Sequence, residues 1–483
     1  GYYNSEYGED RITAMNYYMG EEFGNEQEGR SKVVTTEVAD TIEFIMPSLM
    51  RTFTQTDEFV RFMPRQPEDV EGAKQATSYA NYVLNCQNNG FVVLHNFFKD
   101  ALLQKIGVVK VYYDETEEAQ EEEYTGLSDD ELTLLLQDPN VEIVSQNTEE
   151  YGEESVDEMG MPVSDYSVSH DVVVKRMSYG GMIKIDNIPP EEFLVSKRAS
   201  SIEDADFVAH RTTMKVSDLI QMGYDRETVE KYAGHTELDS NSETTNRFED
   251  IENSDTTDSR DMSMRDVLVV ESYIKSDYDG DGIAELRRVV TLGSAYEVVE
   301  NETFDHVPFA CLSPILMPHR LVGRSIAELI MDLQLIKSTV MRQLLDNIYL
   351  TNNARVAAVE GQVNLDDLLN SKAGGIIRMR QPNSVQVLQP PLVGQNAFSL
   401  LQYLDEIQRT GLSKASMGLD ADALQSTTAT AVAAQMSAAQ GKIEMIARVF
   451  AETGVKQMFK LVLTLCLHHG KKEQMIRLNN KFV

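Results

Sequence analysis

Apolar residues recur at helical spacing between Gly323 and Asn353, and this is the strongest periodic pattern in the chain. Steps of three and four residues place side chains along one face of a helix. Ser325 and Glu328 have the spacing of a capping box, so the helix is predicted to begin at Ser325. The apolar positions at this spacing are Ile326, Leu329, Ile330, Leu333, Ile336, Val340, Leu344 and Ile348.

The apolar arc of this helix is wide, because Met331, Leu335, Leu345 and Tyr349 extend it. Lys337 falls inside the arc, where its long stem can lie on apolar surface while the ammonium reaches water or a partner. We therefore expect the helix to have neighbours on most sides. Its charged residues are too many for a membrane span. A narrow charged stripe remains, formed by Glu328, Asp332, Arg342 and Asp346.

Upstream of this helix, helical and alternating patterns mix, which predicts an α+β body of roughly three hundred residues. An acidic stretch at 115–160 favours a solvated hairpin over a site for a basic partner. The polar stretch His235–Arg265 predicts an exposed loop. Helices are predicted at Val38–Phe53, Pro67–Asn88, Phe91–Lys105, Val216–Met222 and Arg226–Ala233. Strands are predicted at Gly107–Asp114, Val141–Val144, His170–Lys175, Met182–Ile185, Val267–Lys275 and Leu286–Leu292.

Downstream, a compact insert separates the long helix from a second helix over Ala397–Thr410. Within the insert, strands are predicted at Ala354–Glu360, Ile376–Arg380 and Val385–Leu388, with a capped helical turn at Asn364–Leu369. A loop over 412–427 leads to an Ala-rich helix from Thr428 to His469. Its glycines, Gly441 and Gly454, are the predicted bend points.

The chain is strongly acidic, with 78 Asp and Glu against 43 Lys and Arg and a net charge of -35. A monomeric protein that binds nucleic acid by neutralising phosphates shows the opposite balance. A structure that lets DNA pass without gripping it is compatible with an acidic chain. The three cysteines, Cys86, Cys311 and Cys466, are far apart and form no disulfide framework or CxxC pair.

Asp277, Asp279, Asp281, Gly282 and Glu285 form a DxDxDGxxE loop, the sharpest chemical signal in the sequence. Alternating carboxylates can wrap a calcium ion, and the glycine permits the tight turn. An EF-hand is disfavoured, because its twelfth position is an arginine and both flanks are predicted strands. Two interpretations stay open: a calcium loop between strands, or an acidic turn with Asx hydrogen bonds and no metal.

No phosphate-binding loop, HExxH or GxSxG motif is present, so no catalytic residue is assigned. One alternative class is a divalent-metal nuclease that uses the acidic loop. Another is a calcium-stabilised tail or adhesion component. The long Ala-rich helix and the lack of repeats argue against an adhesin.

The order of these elements, together with three segments, resembles the portal protein of tailed bacteriophages, and most closely the short-tailed (podovirus) type. The segments are Asp277–Arg288, His306–Gln334 and Ser426–Val432. The resemblance implies a portal-type fold divided into named parts. These are a wing (1–319), a first stem helix (320–353), a clip (354–395), a second stem helix (396–411), a tunnel loop (412–427), a long channel-side wing helix (428–470) and the start of a crown (471–483).

The same resemblance implies a structural protein rather than an enzyme. It is expected to form a ring, typically of twelve copies, at one capsid vertex of the virion after assembly in the host cytoplasm. Double-stranded DNA passes through the ring during packaging and ejection. The expected partners are the terminase large subunit, a head-completion or tail adaptor protein, and capsid and scaffolding proteins. No membrane contact and no required cofactor are expected, and calcium is the one candidate ion.

Three groups of residues receive roles from this assignment. Lys414 and Arg409, in and beside the tunnel loop, are expected to touch the DNA backbone. Arg378 and Arg380 of the clip either meet an acidic partner surface or are solvated edge arginines. Contacts between subunits are expected along the first stem helix at Ile330, Leu333, Lys337, Leu344 and Ile348.

Overall fold

The computed structural model contains both helices and strands in a mixed order, so the α+β class is confirmed. It describes the chain apart from residues 1–3, 57, 115–116, 137–140, 157–161, 180, 235–242, 244–246, 248–260, 371–373, 389–393, 409–428, 470–476, 479–480 and 483. The chain forms two compact units. Unit 1 comprises Gly1–Arg61, Gly90–Lys110 and Asp186–Lys460, and unit 2 comprises Phe62–Asn89, Val111–Ile185 and Leu461–Val483.

The α-helices of the described residues are numbered here in chain order. They are α1 (Asn4–Met19), α2 (Glu37–Thr54), α3 (Val70–Tyr82), α4 (Gly90–Gln104), α5 (Asp129–Leu136), α6 (Val216–Gln221), α7 (Arg226–Lys231), α8 (Ile326–Asn352), α9 (Leu365–Leu369), α10 (Gly394–Gln408), α11 (Ala429–Phe450) and α12 (Lys456–His469). Single π-helical turns follow α3 at Val83–Gln87 and join α11 to α12 at Ala451–Val455. Short 3₁₀ turns lie at Pro67–Asp69 and Met262–Met264.

The five small sheets of the described residues are built from the following strands. They are β1 (Gly107–Asp114), β2 (Glu117–Leu127), β3 (Val141–Val156), β4 (Pro162–Tyr179), β5 (Met182–Asn187), β6 (Phe193–Val195), β7 (Phe207–Lys215), β8 (Asp266–Ser276), β9 (Glu285–Leu292), β10 (Glu297–Thr303), β11 (Phe309–Leu312), β12 (Arg355–Ala358), β13 (Val385–Leu388), β14 (Arg477–Leu478) and β15 (Lys481–Phe482). The sheet orders are β10-β9-β8-β7-β6, β11-β1-β5, β2-β4-β3, β12-β13 and β14-β15.

The central strand β8 of the five-stranded antiparallel sheet of unit 1 is covered on both faces. Four consecutive residues of β8, from Val267 to Val270, are buried. Alternate side chains on a strand point to opposite faces. Val267 and Val269 accordingly join one apolar cluster, and Leu268 and Val270 join another. An unbroken apolar run is the sequence signal of a strand that is covered on both sides.

Unit 2 contains the acidic stretch that was predicted to be a hairpin or excursion. It forms a three-stranded antiparallel sheet in which β4 pairs with both β2 and β3. Ser128 begins α5 with a capping box: Glu131 N donates to Ser128 Oγ at 3.4 Å, and Ser128 N donates to the Glu131 carboxylate at 3.0 Å. Leu132, Val141, Val172 and Val174 form its small apolar core.

Most predicted elements are confirmed, including β1 with its predicted bounds and both long helical regions. Helix α1 and strands β2, β7, β10, β11, β14 and β15 had not been predicted. The predicted strand Ile376–Arg380 is wrong, because only Met379 pairs there, through an isolated bridge to Val363. This segment follows Gly374-Gly375 and is instead tied to α9 by a bond from Arg378 N to Asp367.

The two glycines predicted to bend the long helix behave differently. Gly441 lies within the uninterrupted helix α11, and a bend there stays a prediction. Gly454 lies in the π-helical turn, where a Cβ atom would come within 2.8 Å of both Cys311 O and Phe97 Cζ. The glycine therefore lets the long helix approach β11 closely.

Candidate functional site

Helix α8 begins where the sequence predicts. Ser325 is the N-cap, and its Oγ accepts a hydrogen bond from Glu328 N at 3.0 Å. The Glu328 carboxylate accepts from Arg324 Nε at 3.1 Å. The cap satisfies one of the free amides at the start of the helix and fixes the register of its faces.

One face of α8 carries polar residues at every fourth position: Gln334, Ser338, Arg342 and Asp346, here called the polar stripe. The first two have no solvent exposure, and Arg342 is 7% exposed. Residues four apart lie above one another on a helix. The polar stripe is therefore a continuous line of hydrogen-bonding groups inside unit 1.

The polar stripe holds the segment that leads into α2 and the first turn of α2. Val38 N donates to Gln334 Oε1 at 2.9 Å, and Thr35 N donates to Ser338 Oγ at 3.0 Å. Ser31 N donates to Asp346 Oδ1 at 2.8 Å. Residue numbers fall along the segment as they rise along the helix, so the two run antiparallel. Four side chains spread over roughly three helical turns thus fix the position of the N-terminal segment.

Arg342 is the most heavily bonded member of the polar stripe. It donates to Val33 O at 2.8 Å, to Asn25 Oδ1 at 2.7 Å and to Glu26 Oε1 at 2.5 Å. Its guanidinium also lies 5.4 Å from the centre of the Phe23 ring. From the sequence, Arg342 and Asp346 are expected on a narrow charged stripe beside the apolar arc. In the structure this stripe is where the chain binds its own N-terminal segment.

The opposite face of α8 is apolar and reaches solvent. Leu329, Leu333, Ile336 and Val340, here called the apolar ridge, follow one another at steps of four, three and four residues. Ile336 lies two residues from both Gln334 and Ser338, which is about 200° around the helix. Ile336 is 48% exposed and Leu329 is 39% exposed. The helix therefore turns its polar face inward and an apolar face outward.

The five residues predicted to contact other subunits lie in three environments. Ile330 and Leu344 are buried within the chain itself, so substitutions there affect the fold as well as any assembly. Leu333 is half-buried on the apolar ridge, and Ile348 is 40% exposed near the end of the helix. Their role between subunits stays a prediction, and Ile336 is the better exposed position on the same face.

Lys337, the fifth of these residues, joins three helices of unit 1. Its Nζ lies 2.6 Å from the Glu37 carboxylate of α2 and 2.8 Å from the Asp405 carboxylate of α10. Burial lowers the pKa of Lys337, but the hydrogen bonds to Asp405 and Glu37 outweigh it, so the pKa is raised. The ammonium thus has partners inside the chain, in agreement with the expectation that it reaches water or a partner.

The residues predicted to touch DNA, Lys414 and Arg409, lie outside the described residues. In the insert, β12 pairs with β13 and closes residues 359–384 into a loop. Arg378 donates from Nε to Asp367 at 2.6 Å and is mostly exposed, and Arg380 is exposed. Both arginines therefore lie on the accessible surface of the insert.

The acidic loop joins two strands, β8 and β9, as the sequence predicts. Among the described residues, Asp277, Asp279 and Asp281 bring carboxylate oxygens within 4.8 Å of one another. Each carboxylate also accepts a hydrogen bond from a backbone amide of the loop. Asp277, for example, accepts one from Gly280 N at 2.7 Å. Glu285, predicted as a fourth ligand, lies on β9 with its carboxylate 3.3 Å from Arg287 Nη1.

Sequence reasoning missed the polar stripe, although its signal was present. Gln334, Ser338, Arg342 and Asp346 recur at four-residue intervals and therefore share one face of the helix. Solvation was the simpler interpretation, because nothing local connects these residues to a segment about three hundred residues earlier in the chain.

The comparison with known families decides the identity of the protein. The family model described as the phage SU10 portal protein matches residues 1–483. The chain belongs to the phage SU10 portal protein family. SU10 is a podovirus-like phage, so the predicted short-tailed type is confirmed. No protein of the curated collection matches the chain.

Membership of this family assigns phage portal function, and the predicted function is confirmed. Portal proteins are structural rather than catalytic, and no finding favours the nuclease or the adhesion component. They form an oligomeric ring at a capsid vertex and interact with capsid and DNA. Within the part of the chain that the structure describes, no helix is long and apolar enough to cross a membrane.

Proposed function

We propose that twelve copies of this portal protein close into a ring at one capsid vertex and conduct double-stranded DNA during packaging and ejection. The exposed apolar ridge of α8 carries this proposal. Exposed apolar rows on a structural helix are typical of interfaces. Every subunit of a closed ring has a neighbour on each flank. The ridge offers a surface for such a neighbour, while the polar stripe holds the helix in its own chain.

We assign α8 and α10 as the paired stem helices and residues 354–395 as the clip. Two features support the assignment. Helix α10 packs against α8, and Lys337 joins them through Asp405. The β12–β13 pair brings the two ends of the insert together, so the insert leaves and re-enters the helix pair at one place. A small closed insert at the end of two helices suits a docking domain.

The clip is proposed to bind the terminase large subunit first and a head-completion or tail adaptor protein later. The exposed guanidinium groups of Arg378 and Arg380 give it a basic surface in an otherwise acidic chain. Such a surface favours an acidic partner and faster encounter with it. Capsid and scaffolding proteins are the further partners that assembly at a vertex requires.

The tunnel loop is proposed to contact the DNA backbone through Lys414 and Arg409. A lysine that meets phosphates adds affinity without sequence preference. The net charge of -35 per chain gives the remaining channel wall a low affinity for DNA if part of it faces the lumen. Replacing Lys414 by Ala should therefore change DNA packaging or retention while leaving ring assembly intact. Normal packaging and retention in that mutant phage would remove the proposed contact.

The ring is tested directly by negative-stain imaging and mass measurement of the purified protein over a wide range of concentration. We expect rings with a central hole and a mass of twelve chains. The scaffolding protein is added in a second arm, because ring closure in some assemblies needs a template. A protein that stays monomeric in both arms contradicts the proposed ring, and a ring of another size corrects its copy number.

A further inference from the structure

A second apolar surface of unit 1 lies where the long C-terminal helix passes the loop that precedes α8. A cavity of about 380 Å³ opens there. Its lining includes Leu316 of the loop, Ile326 of α8 and four residues of α11: Lys442, Met445, Ile446 and Val449. The α11 residues are spaced at three, one and three, so they belong to one face of that helix.

The same helix face continues past the π-helical turn into a polar cavity of about 260 Å³. Leu316 lines both cavities, which are together called the long-helix groove here. Its polar part contains the bases Arg320, Lys456 and Lys460 and the acids Glu203 and Glu452. From Lys442 to Lys460 the groove follows roughly 27 Å of helix.

Two apolar side chains at the edge of the groove are exposed to solvent. Met445 is 63% exposed and Leu316 is 51% exposed. Methionine adapts its shape to different contacts and is common at binding surfaces. The groove therefore combines an apolar floor, adaptable edges and a polar end with more bases than acids.

We infer that a neighbouring copy of this chain occupies the long-helix groove in the assembled ring. The inference rests on the ring proposed above. Ile326, in the first turn of α8, lines the groove, and Leu329 of the apolar ridge follows it three residues later on the same helix. The groove therefore lies one helical turn from the surface already proposed to meet a neighbour.

The charges of the groove fit the same occupant. Its polar end has three bases against two acids, whereas the whole chain has a net charge of -35. Lys456 is paired with Glu452 at 3.0 Å, so the polar end contributes one net positive charge, which complements the net negative charge of a second copy. In a ring of more than two copies, each subunit meets its two neighbours through different patches. The groove of one copy therefore receives a different patch of the next.

The test uses Met445→Asp and Leu316→Asp, which place a charge in the apolar part of the groove. Met222→Asp is the matched control, because Met222 is also a methionine, is 64% exposed and lies outside the groove. Mass measurements give the concentration at which half of each protein is in rings. We expect this concentration to rise at least tenfold for both groove variants and to stay within twofold of wild type for Met222→Asp. Unfolding curves of the monomers check that all three variants fold.

Hydrogen exchange on wild-type rings and monomers provides an independent measurement. We expect amides of residues 441–449 and 315–317 to exchange more slowly in rings made of this chain alone. Groove variants that assemble like wild type overturn the inference, as does equal exchange at the groove in rings and monomers. Either result leaves the ring intact and assigns the groove to another protein. A wild-type chain that forms no ring overturns the proposed ring and this inference together.

Discussion

Two faces of helix α8 differ in an unusual way: hydrogen-bonding side chains are buried on one, and apolar side chains reach solvent on the other. The polar stripe is buried and binds the chain's own N-terminal segment through directional hydrogen bonds. The apolar ridge is left partly in water. Hydrogen bonds fix one partner in one register, whereas apolar contact is non-directional and needs only shape. A ring subunit needs both: a fixed position in its own fold and a surface that a neighbour can meet.

The largest expected effect comes from breaking the polar stripe at Arg342. Replacement by Met removes three hydrogen bonds and leaves Glu26, also buried, without its cation. Removing one partner of a buried ion pair costs about 3–5 kcal/mol. Urea unfolding of the monomer measures this change in the free energy of unfolding.

Arg378→Met provides the control for Arg342→Met, because it also removes an arginine from an ion pair, but one with a largely exposed guanidinium. Such pairs contribute about 0–1 kcal/mol. If the two variants have the same free energy of unfolding, the polar stripe does not hold the N-terminal segment, and the contrast between the faces fails.

The apolar ridge is tested by Ile336→Asp. We expect the half-assembly concentration of the ring to rise at least tenfold, which corresponds to about 1.4 kcal/mol. The monomer should keep its stability within about 0.5 kcal/mol, as surface substitutions usually do. Light scattering against concentration, together with urea unfolding, separates the two quantities.

Ile330→Asp sharpens this comparison, because Ile330 is on the same helix but buried in the chain. It should destabilise the monomer itself, since an unpaired charge is placed in an apolar environment. If Ile336→Asp destabilises the monomer as much as Ile330→Asp does, the ridge is part of the chain's own core. If it leaves assembly unchanged, the neighbour binds elsewhere.

Local signals in the sequence were sufficient for the bounds of α8 and for much of the fold. Ser325 caps the helix by itself, and an apolar period is a property of the helix alone. The roles of its faces were not predictable, because they depend on Ser31, Thr35 and Val38, far away in the sequence. Helix α1 was missed for a related reason, since its sequence shows little amphipathic character of its own.

The predicted sites also divide into those that follow from local sequence and those that depend on distant residues. The strands that flank the acidic loop followed from β-branched and aromatic residues near Val267 and Leu286. The short run Ile376–Arg380 has the composition of a strand, yet it forms only one bridge, because pairing depends on a partner segment and not on composition. The roles of Lys414 and Arg409 stay predictions that follow from the family.

A contrast between a packed and an open position recurs on the long C-terminal helix. A methyl group at Gly454 meets Cys311 O and Phe97 Cζ at 2.8 Å, whereas one at Gly441 meets nothing within 4 Å. Overpacking costs about 1–3 kcal/mol, so Gly454→Ala should lower the free energy of unfolding. Gly441→Ala should raise it by up to about 1 kcal/mol, because alanine favours the helix. Equal values for both variants in urea unfolding would contradict the close approach of the long helix to β11.

The smallest expected effect concerns the acidic loop. Its three clustered carboxylates either bind a calcium ion or only accept hydrogen bonds from the backbone of the loop. Free calcium at a concentration equal to its Kd stabilises the protein by about 0.4 kcal/mol. We expect calcium to raise the melting temperature slightly in wild type and not in Asp279→Asn, which removes one of the three carboxylates. Magnesium at the same concentration controls for ionic strength and is a poor match for a flexible site. Equal melting temperatures in calcium and in EDTA would favour the metal-free turn, because Asp277, Asp279 and Asp281 already accept the loop's own amides.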